Sequence, residues 1–349
     1  MSALIAVLFA VILFSVLIFV HELGHFIAAK LSGVQVNEFS MFMGPAIVKW
    51  TRGTTQYTIR CIPIGGYCAM EGEDGESDNP HSFHHAAWWK RLIILAAGSF
   101  MNFVTGVVLV AIVLFAQPGY TTTELAYVQP ESSCAVAHGL RAGDQILEFD
   151  GKKIGIYEDF SLATMLAQNG NYNITVLRDG QKVELNDVPM NRNPETGLYG
   201  IGFQVKETTA ASVPGRILPT AFNYVKGVVV SLQMLFTGQA GWQDMSGAVG
   251  IVHMMSETAT QTKDTSLAFL NLLVFGGFLA INLAVMNILP IPALDGGRIL
   301  GLILTTGIEA ITRKKIDPKY EGYIHSIGMI ALLALMIALT FKDIFTIFK

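Results

Sequence analysis

Long apolar runs alternate along this chain with stretches of ordinary polarity. Four runs, Ala3 to Val20, Leu92 to Ala116, Leu267 to Leu294 and Ile324 to Phe341, contain no Asp, Glu, Lys or Arg, and only the last is interrupted by a histidine, His325. Each is near the ~18 to 25 residues that cross a bilayer's hydrocarbon core as a helix, so the pattern predicts four spans. Two shorter runs, Gly227 to Ala240 and Ile299 to Ile311, read as interfacial or re-entrant helices. The first run lacks a basic leader and a small-residue cleavage site and continues into HELGHF, so it is read as a retained span rather than a secretory signal.

Between the first two spans, AIVKWTRGTTQYTIRCIPIGGYCAMEGE alternates apolar and polar residues around Arg52-Gly53, then bends at Pro63 and Gly65-Gly66. This predicts a hairpin followed by a looped strand, placed where it can dip toward the membrane beside the first helix. Residues 120 to 206 turn to short strands and turn signals, a small α+β domain of about 85 residues. Its stretch HGLRAGDQILEFDG resembles the PDZ signature at Gly139, Leu140, Gly143, Asp144 and Ile146. PDZ domains add an extended peptide to a sheet edge, and by resemblance to the permuted bacterial form the groove falls at Gly200, Ile201, Gly202 and Phe203. A spacer or plug with an unused groove is the plainer alternative. From Pro214 to Phe236 a helical stripe returns at Phe222, Val225, Val229, Leu232 and Phe236.

Composition agrees with membrane residence. Of 349 residues 52% are hydrophobic and 14% charged, and the mean hydropathy is +0.47. The net charge of -4, without a basic block, excludes nucleic acid as the natural partner class. Cys61, Cys68 and Cys134 form no CxxC pair, so neither a zinc knuckle nor a disulfide is expected. Lys30, Lys90 and Arg91, and Arg313, Lys314, Lys315 and Lys319 flank the spans. They assign residues 31 to 91 and 295 to 323 to the cytoplasm and 118 to 266 to the outside; Lys342 and Lys349 at the far end run against that assignment. His81, His84 and His85 lack a carboxylate or thiol at ligand spacing and read as loop histidines, and His253 reads as structural.

The first run carries the chemistry. In HELGH, His21 and His25 stand four residues apart, so both imidazoles leave one helix face and can reach one ion. Glu22 stands beside that ion without ligating it, which suits a base acting on water. FIAA separates His25 from Lys30, which puts the three groups roughly 7 to 14 Å inside the basic boundary, beyond the reach of snorkelling for such short side chains. Ionisable groups at that depth mark function. A catalytic zinc takes a third protein ligand, and INLAVMNILPIPALDGGRIL supplies a candidate, because Pro290 and Pro292 break the helix just before Asp295. From the residues alone Asp295 is equally a ligand or the N-cap of the following helix.

HELGH in a first span, NxxPxPxLDG at Asn287, Pro290, Pro292, Leu294, Asp295 and Gly296, FMGP at 42 to 45, PIGGY at 63 to 67 and the inserted PDZ-like stretch together resemble the bacterial site-2 proteases, zinc intramembrane metalloproteases. The resemblance implies His21, His25 and Asp295 as Zn2+ ligands, Glu22 as catalytic base, and Asn287 as a residue that positions substrate or stabilises an oxyanion. It implies a membrane-associated β-loop over about 46 to 72, whose edge strand at Tyr57, Ile59 and Cys61 pairs with an unwound substrate. It further implies a multi-pass protein of the bacterial inner membrane with a periplasmic or extracellular PDZ domain and an active site near the cytoplasmic side. Single-pass membrane proteins already cut by another protease would be the substrates, as in clearance of an anti-sigma factor or of signal-peptide remnants.

The expected architecture is therefore a polytopic α-helical membrane protein divided at 1–117, 118–206, 207–266 and 267–349. Ser99 and Ala248 depart from the prolines common in the family. Two other classes compete. A membrane-anchored PDZ scaffold with a structural or vestigial metal site would not need Glu22, and a zinc transporter would carry several intramembrane ligand clusters where this chain has one.

Overall fold

The computed structural model describes residues 3–73, 75, 77–135, 139–165, 167, 169–260, 264–313 and 319–347; Lys314 and Lys315 of the basic cluster and His138 of the PDZ-like stretch lie outside them. In chain order the elements are α1 (Ala3–Ser32), β1 (Val36–Arg52), β2 (Thr55–Met70), α2 (Trp88–Ala116), β3 (Gly119–Val128), β4 (Gln145–Phe149), β5 (Lys152–Lys153), α3 (Tyr157–Met165), β6 (Gly170–Arg178), β7 (Gln181–Met190), β8 (Ile201–Glu207), α4 (Pro214–Phe236), α5 (Ala248–Thr260), α6 (Thr265–Ile288), α7 (Asp295–Thr312) and α8 (Lys319–Ile347). Among the described residues four helical segments are long and apolar enough to cross a membrane, Val7–Ser32, Trp88–Ala116, Thr265–Ile288 and Gly322–Ile347. These match the four predicted runs. The third stops six residues short of Leu294, because Pro290 and Pro292 cannot donate and the backbone turns extended at Leu289.

The chain divides into two compact units, Met1–Leu109 with Val228–Lys349, and Val110–Gly227. In the first, β1 and β2 fold back on themselves. Ala46 to Arg52 pair with Thr55 to Arg60 across the expected turn at Gly53, whose φ of +63° favours glycine. The first half of β1 then inserts on the other side: Phe39 and Met41 pair with Tyr57 and Ile59, and also with Cys68 and Gly66. The sheet therefore runs 46–52, 55–60, 36–41, 66–70.

This corrects the predicted substrate edge. Tyr57 lies between Trp50 and Phe39, and Ile59 between Val48 and Met41, so both have neighbours on each side. Cys61 is exposed beyond that paired stretch. Among the described residues the open edges are 46–52 and 66–70. Phe39 anchors the sheet to α1 by packing on Phe19 and Phe26, with ring centroids 5.7 and 4.9 Å apart. Lys30 Nζ donates to Thr55 Oγ1 at 2.6 Å, and Thr55 donates to the Val36 carbonyl at 2.7 Å.

The second unit holds a sheet of order β7-β6-β4-β3-β8 with β5 beside β4. Its core gathers Leu125, Leu140, Ile146, Phe149, Phe160 and Val176. Asp144 is buried and joined to Arg178, with Nε to Oδ1 at 2.7 Å and Nη2 to Oδ2 at 2.8 Å. Lys226 and Asn223 of α4 donate to Asp159 of α3 at 2.7 and 3.2 Å. Burial alone would raise the Asp159 carboxyl, but these two donors and the Gly155 amide hold it below the usual carboxylate range.

Candidate metal centre

The apolar sequence of α1 keeps it helical through HELGH, and this brings the two imidazoles together. His21 Nε2 and His25 Nε2 are 3.2 Å apart. Helix α2 crosses α1 closely at this level. A methyl group on Gly24 would strike the Ala97 backbone, and one on Gly98 would overlap His25 Nε2 and come within 2.8 Å of His21 Nε2. Glycines at such crossings let apolar helices approach where larger residues would hold them apart.

The third donor arrives from the break after α6. Ala293 adopts φ +79°, and methyl groups on Gly296 or Gly297 would overlap the carbonyls of Ile288 and Leu289 or of Ile291. LDGG therefore permits a reversal too tight for other side chains. Leu294, not Asp295, occupies the N-cap of α7; Asp295 opens the first turn. Its Oδ2 turns to the histidines, 3.2 Å from His21 Nε2 and 3.4 Å from His25 Nε2, and the three side chains are 12%, 9% and 18% exposed.

These atoms fit a zinc ion. Tetrahedral bonds of about 2.0 to 2.1 Å place ligand atoms roughly 3.3 to 3.4 Å from one another, close to the spacings present. Asp295 Oδ2 is buried without a hydrogen bond of good geometry, an expense that a cation offsets. His25 Nδ1 is 2.8 Å from the Ile94 carbonyl, which can only accept, so the proton sits on Nδ1 and the Nε2 lone pair faces the centre.

His21 is held on its far side by two asparagines, Asn102 Nδ2 at 3.3 Å and Asn287 Nδ2 at 3.4 Å from Nδ1. Asn102 Oδ1 is buried and unpaired. Turning that amide over places Oδ1 on His21 Nδ1–H, pairs the orphan oxygen and frees the His21 Nε2 lone pair for the centre. Sequence reading missed Asn102 and Gly98; their only signal is that both polar and small positions fall on one face of an otherwise apolar helix.

Glu22 lies next to the centre. A methyl group on Gly66 would stand 3.6 Å from Glu22 Cγ, which puts the edge 66–70, rather than Tyr57 and Ile59, beside it. Asn287 meets the back of His21. The PDZ-like positions lie in the other unit, on β8 and just before it. Gly200 has φ +71°, and Phe203 packs on Tyr157 and Phe160 of α3 with ring centroids at 5.1 Å.

The family model for peptidase family M50 matches residues 9–335. The chain belongs to peptidase family M50. A protein of Clostridium perfringens named as a zinc metalloprotease is 36% identical over 343 residues, covering 97% of this chain and 98% of its own. One of Clostridium acetobutylicum, similarly named, is 34% identical over 341 residues, with 97% of each chain covered. The regulator of sigma-W protease RasP of Bacillus subtilis is 26% identical over 423 residues, covering 97% and 98%. As a member of family M50 the chain is a zinc metalloprotease of the site-2 type and a membrane protein with several apolar helices.

Proposed function

We propose that this chain hydrolyses a peptide bond within or near the transmembrane segment of single-pass membrane proteins. The observation that carries this reading is the cluster of His21, His25 and Asp295 donors with Glu22 beside it, on helices apolar enough to lie in lipid. His21, His25 and Asp295 hold the zinc. When bound, zinc supplies Lewis acidity that lowers the pKa of a water toward ~7 and polarises a carbonyl. Glu22 takes the proton from the attacking water and returns it to the leaving amine. Asn102, with its amide turned over, accepts from His21 Nδ1–H and orients it, and Ile94 accepts from His25 Nδ1–H and orients that ring. Asn287, in contact with His21, positions the substrate or stabilises the developing oxyanion.

A helical substrate hides its carbonyls, so it must extend before it is cut. Among the described residues the edge 66–70 has no strand on its far side, where only the Met70 amide is engaged, by Glu73, and a substrate strand added beside Gly66 and Glu22 would present its carbonyl to the centre. Residues 118–206 act as a PDZ domain that admits substrates whose outer part another protease has removed, with its groove between β8 and α3. In this reading the chain resides in the bacterial inner membrane, and the Lys30, Lys90 and Arg91 flanks support an orientation with residues 118–206 outside and the zinc site toward the cytoplasm.

Reconstitution of the full chain with a tagged single-pass substrate, followed by mass spectrometry of the products, tests the reading. The expected cut lies in the substrate's apolar segment; a cut confined to its soluble domain contradicts the proposal.

A further inference from the structure

The edge 66–70 is held near both ends by side chains from the helices that carry the metal donors. Before its start, Ser15 Oγ of α1 donates to the Pro63 carbonyl at 2.8 Å. Ser15 and Glu22 stand seven residues apart on one face of α1, and a methyl group on Gly66 would lie 3.6 Å from Glu22 Cγ. Past its end, Glu73 Oε2 accepts from the Met70 amide at 3.4 Å, and Glu73 Oε1 is joined to Arg298 Nη1. Arg298 stands three residues after Asp295 on α7. The turn that returns Glu73 to Met70 is tight. Gly72 has φ +64°, a methyl group on it would come within 2.8 Å of Ser82 Cβ, and the Phe83 amide donates to the Glu71 carbonyl at 2.8 Å.

The direction of each backbone group along this edge follows from two amides. That of Glu71 turns inward to the Gln35 carbonyl at 2.9 Å, and that of Met70 turns outward to Glu73. Successive residues of a strand direct their N–H and C=O alternately to its two sides. Ala69, Cys68, Tyr67 and Gly66 pair in turn with Glu38, Phe39, Ser40 and Met41. The backbone groups of Cys68 and Gly66 therefore face outward with those of Met70. A strand added at this edge finds Gly66 and Cys68 ready to bond. At the third outward residue, Met70, the donor is taken, and the Glu73 side chain stands where the added strand would continue.

We propose that Glu73 and Arg298 are positioning residues that set which substrate bond is cut. Their pair closes the edge at Met70, so the substrate strand bonds to Gly66 and Cys68 and cannot slide two residues further along. A slip of one residue is disfavoured separately, because it turns every substrate side chain to the opposite face. Charge-assisted hydrogen bonds between a guanidinium and a carboxylate are among the stronger ones a protein makes, which suits a stop that must resist a competing strand. Because Arg298 and Asp295 share the first turns of α7, the stop is held at a constant separation from the metal centre. The inference rests on the proposed pairing of substrate with this edge and adds to it the register.

Mass spectrometry of the products from a tagged single-pass substrate tests it, with zinc content measured on the same full-length preparations. The parent chain is expected to cut at one main bond in the apolar segment. Glu73→Ala and Arg298→Ala should raise the share cut at a bond two residues away roughly tenfold, the scale of one lost hydrogen bond to a charged group, with zinc content unchanged. Glu73→Gln should return the cut to the parental bond, because its amide oxygen still accepts from Met70. A purely structural role would lower the rate or the zinc content and leave the cut where it was. Cleavage by Glu73→Ala at the parental bond alone overturns the proposal, as does complete loss of cleavage with zinc in place. If the alanine variants fail to fold, synthetic substrates with single N-methylated amides decide on the parent chain. Besides the scissile amide, two positions two residues apart should block cleavage; a third such position two residues further on overturns the stop. A parent chain that cuts only in the soluble domain overturns instead the proposed function on which the inference rests.

Discussion

Asp144 in the small unit and Asp295 in the membrane unit are both carboxylates withdrawn from water, and the chain treats them in opposite ways. Asp144 is 1% exposed and complete: Arg178 meets both oxygens, and the Arg141 amide adds a third hydrogen bond at 2.8 Å. Asp295 faces two imidazole nitrogens at 3.2 and 3.4 Å, yet Oδ2 has no hydrogen bond of good geometry. A finished shell around a buried charge serves the fold. One whose donor atoms all converge on a common point serves a ligand.

Exchange of each aspartate for asparagine should therefore separate the two roles. Asp295→Asn is expected to lose bound zinc and all measurable cleavage, while the zinc-free form is no less stable than the zinc-free parent, because a costly buried carboxylate has gone. Asp144→Asn should retain zinc but destabilise the small unit by about 2 to 3 kcal/mol, under the fully buried range because Arg178 keeps some solvent. Zinc analysis with hydrogen exchange on the full chain reads both; equal loss of zinc in the two variants would dissolve the distinction.

Gly98→Ala comes next in size. Its methyl group collides with the two ligand nitrogens, so zinc affinity should fall at least as far as for a lost supporting residue, on the order of 100-fold. Asn102→Ala should cost about tenfold in zinc affinity, measured by competition with a chelator, and Asn102→Asp should recover most of it because an oxygen again accepts from His21 Nδ1. The smallest effect concerns Asp159. Its carboxyl titrates below the ordinary range in the folded state. The contribution is thus complete above about pH 4, the unfolded value, and is lost as the pH falls through the lower folded value. Hydrogen exchange in the first half of α4 should rise in that acid window in the parent and not in Asp159→Asn.

What could be read from the sequence follows the physics that acts on it. Lipid demands uninterrupted apolar runs, so the four spans were visible, and helical spacing made His21 and His25 visible as a pair. The turn at Gly53 was also marked, because only a residue at ease with positive φ sits there. Neighbour relations were not so marked. Nothing in the period of residues 55–60 says that 36–41 inserts beside them, so the sequence does not reveal that Tyr57 and Ile59 are interior and that the open edges among the described residues are 46–52 and 66–70. Asn102 is 81 residues from His21 and looks like a lone polar residue in a span. Asp295 differs from an N-cap by one position, and that position is set by how closely Gly296 and Gly297 approach the carbonyls before them.

The central claim, that a zinc held by His21, His25 and Asp295 works with Glu22 as base, is tested most directly by one variant. Zinc content and substrate cleavage should be measured together on purified Glu22→Gln and the parent chain. The expected result is one zinc per chain in both, with cleavage lost in the variant by a factor of about 10³ or more, within the span that removal of a positioned acid–base group costs. Cleavage that persists at the parental rate, with zinc in place, would contradict the account.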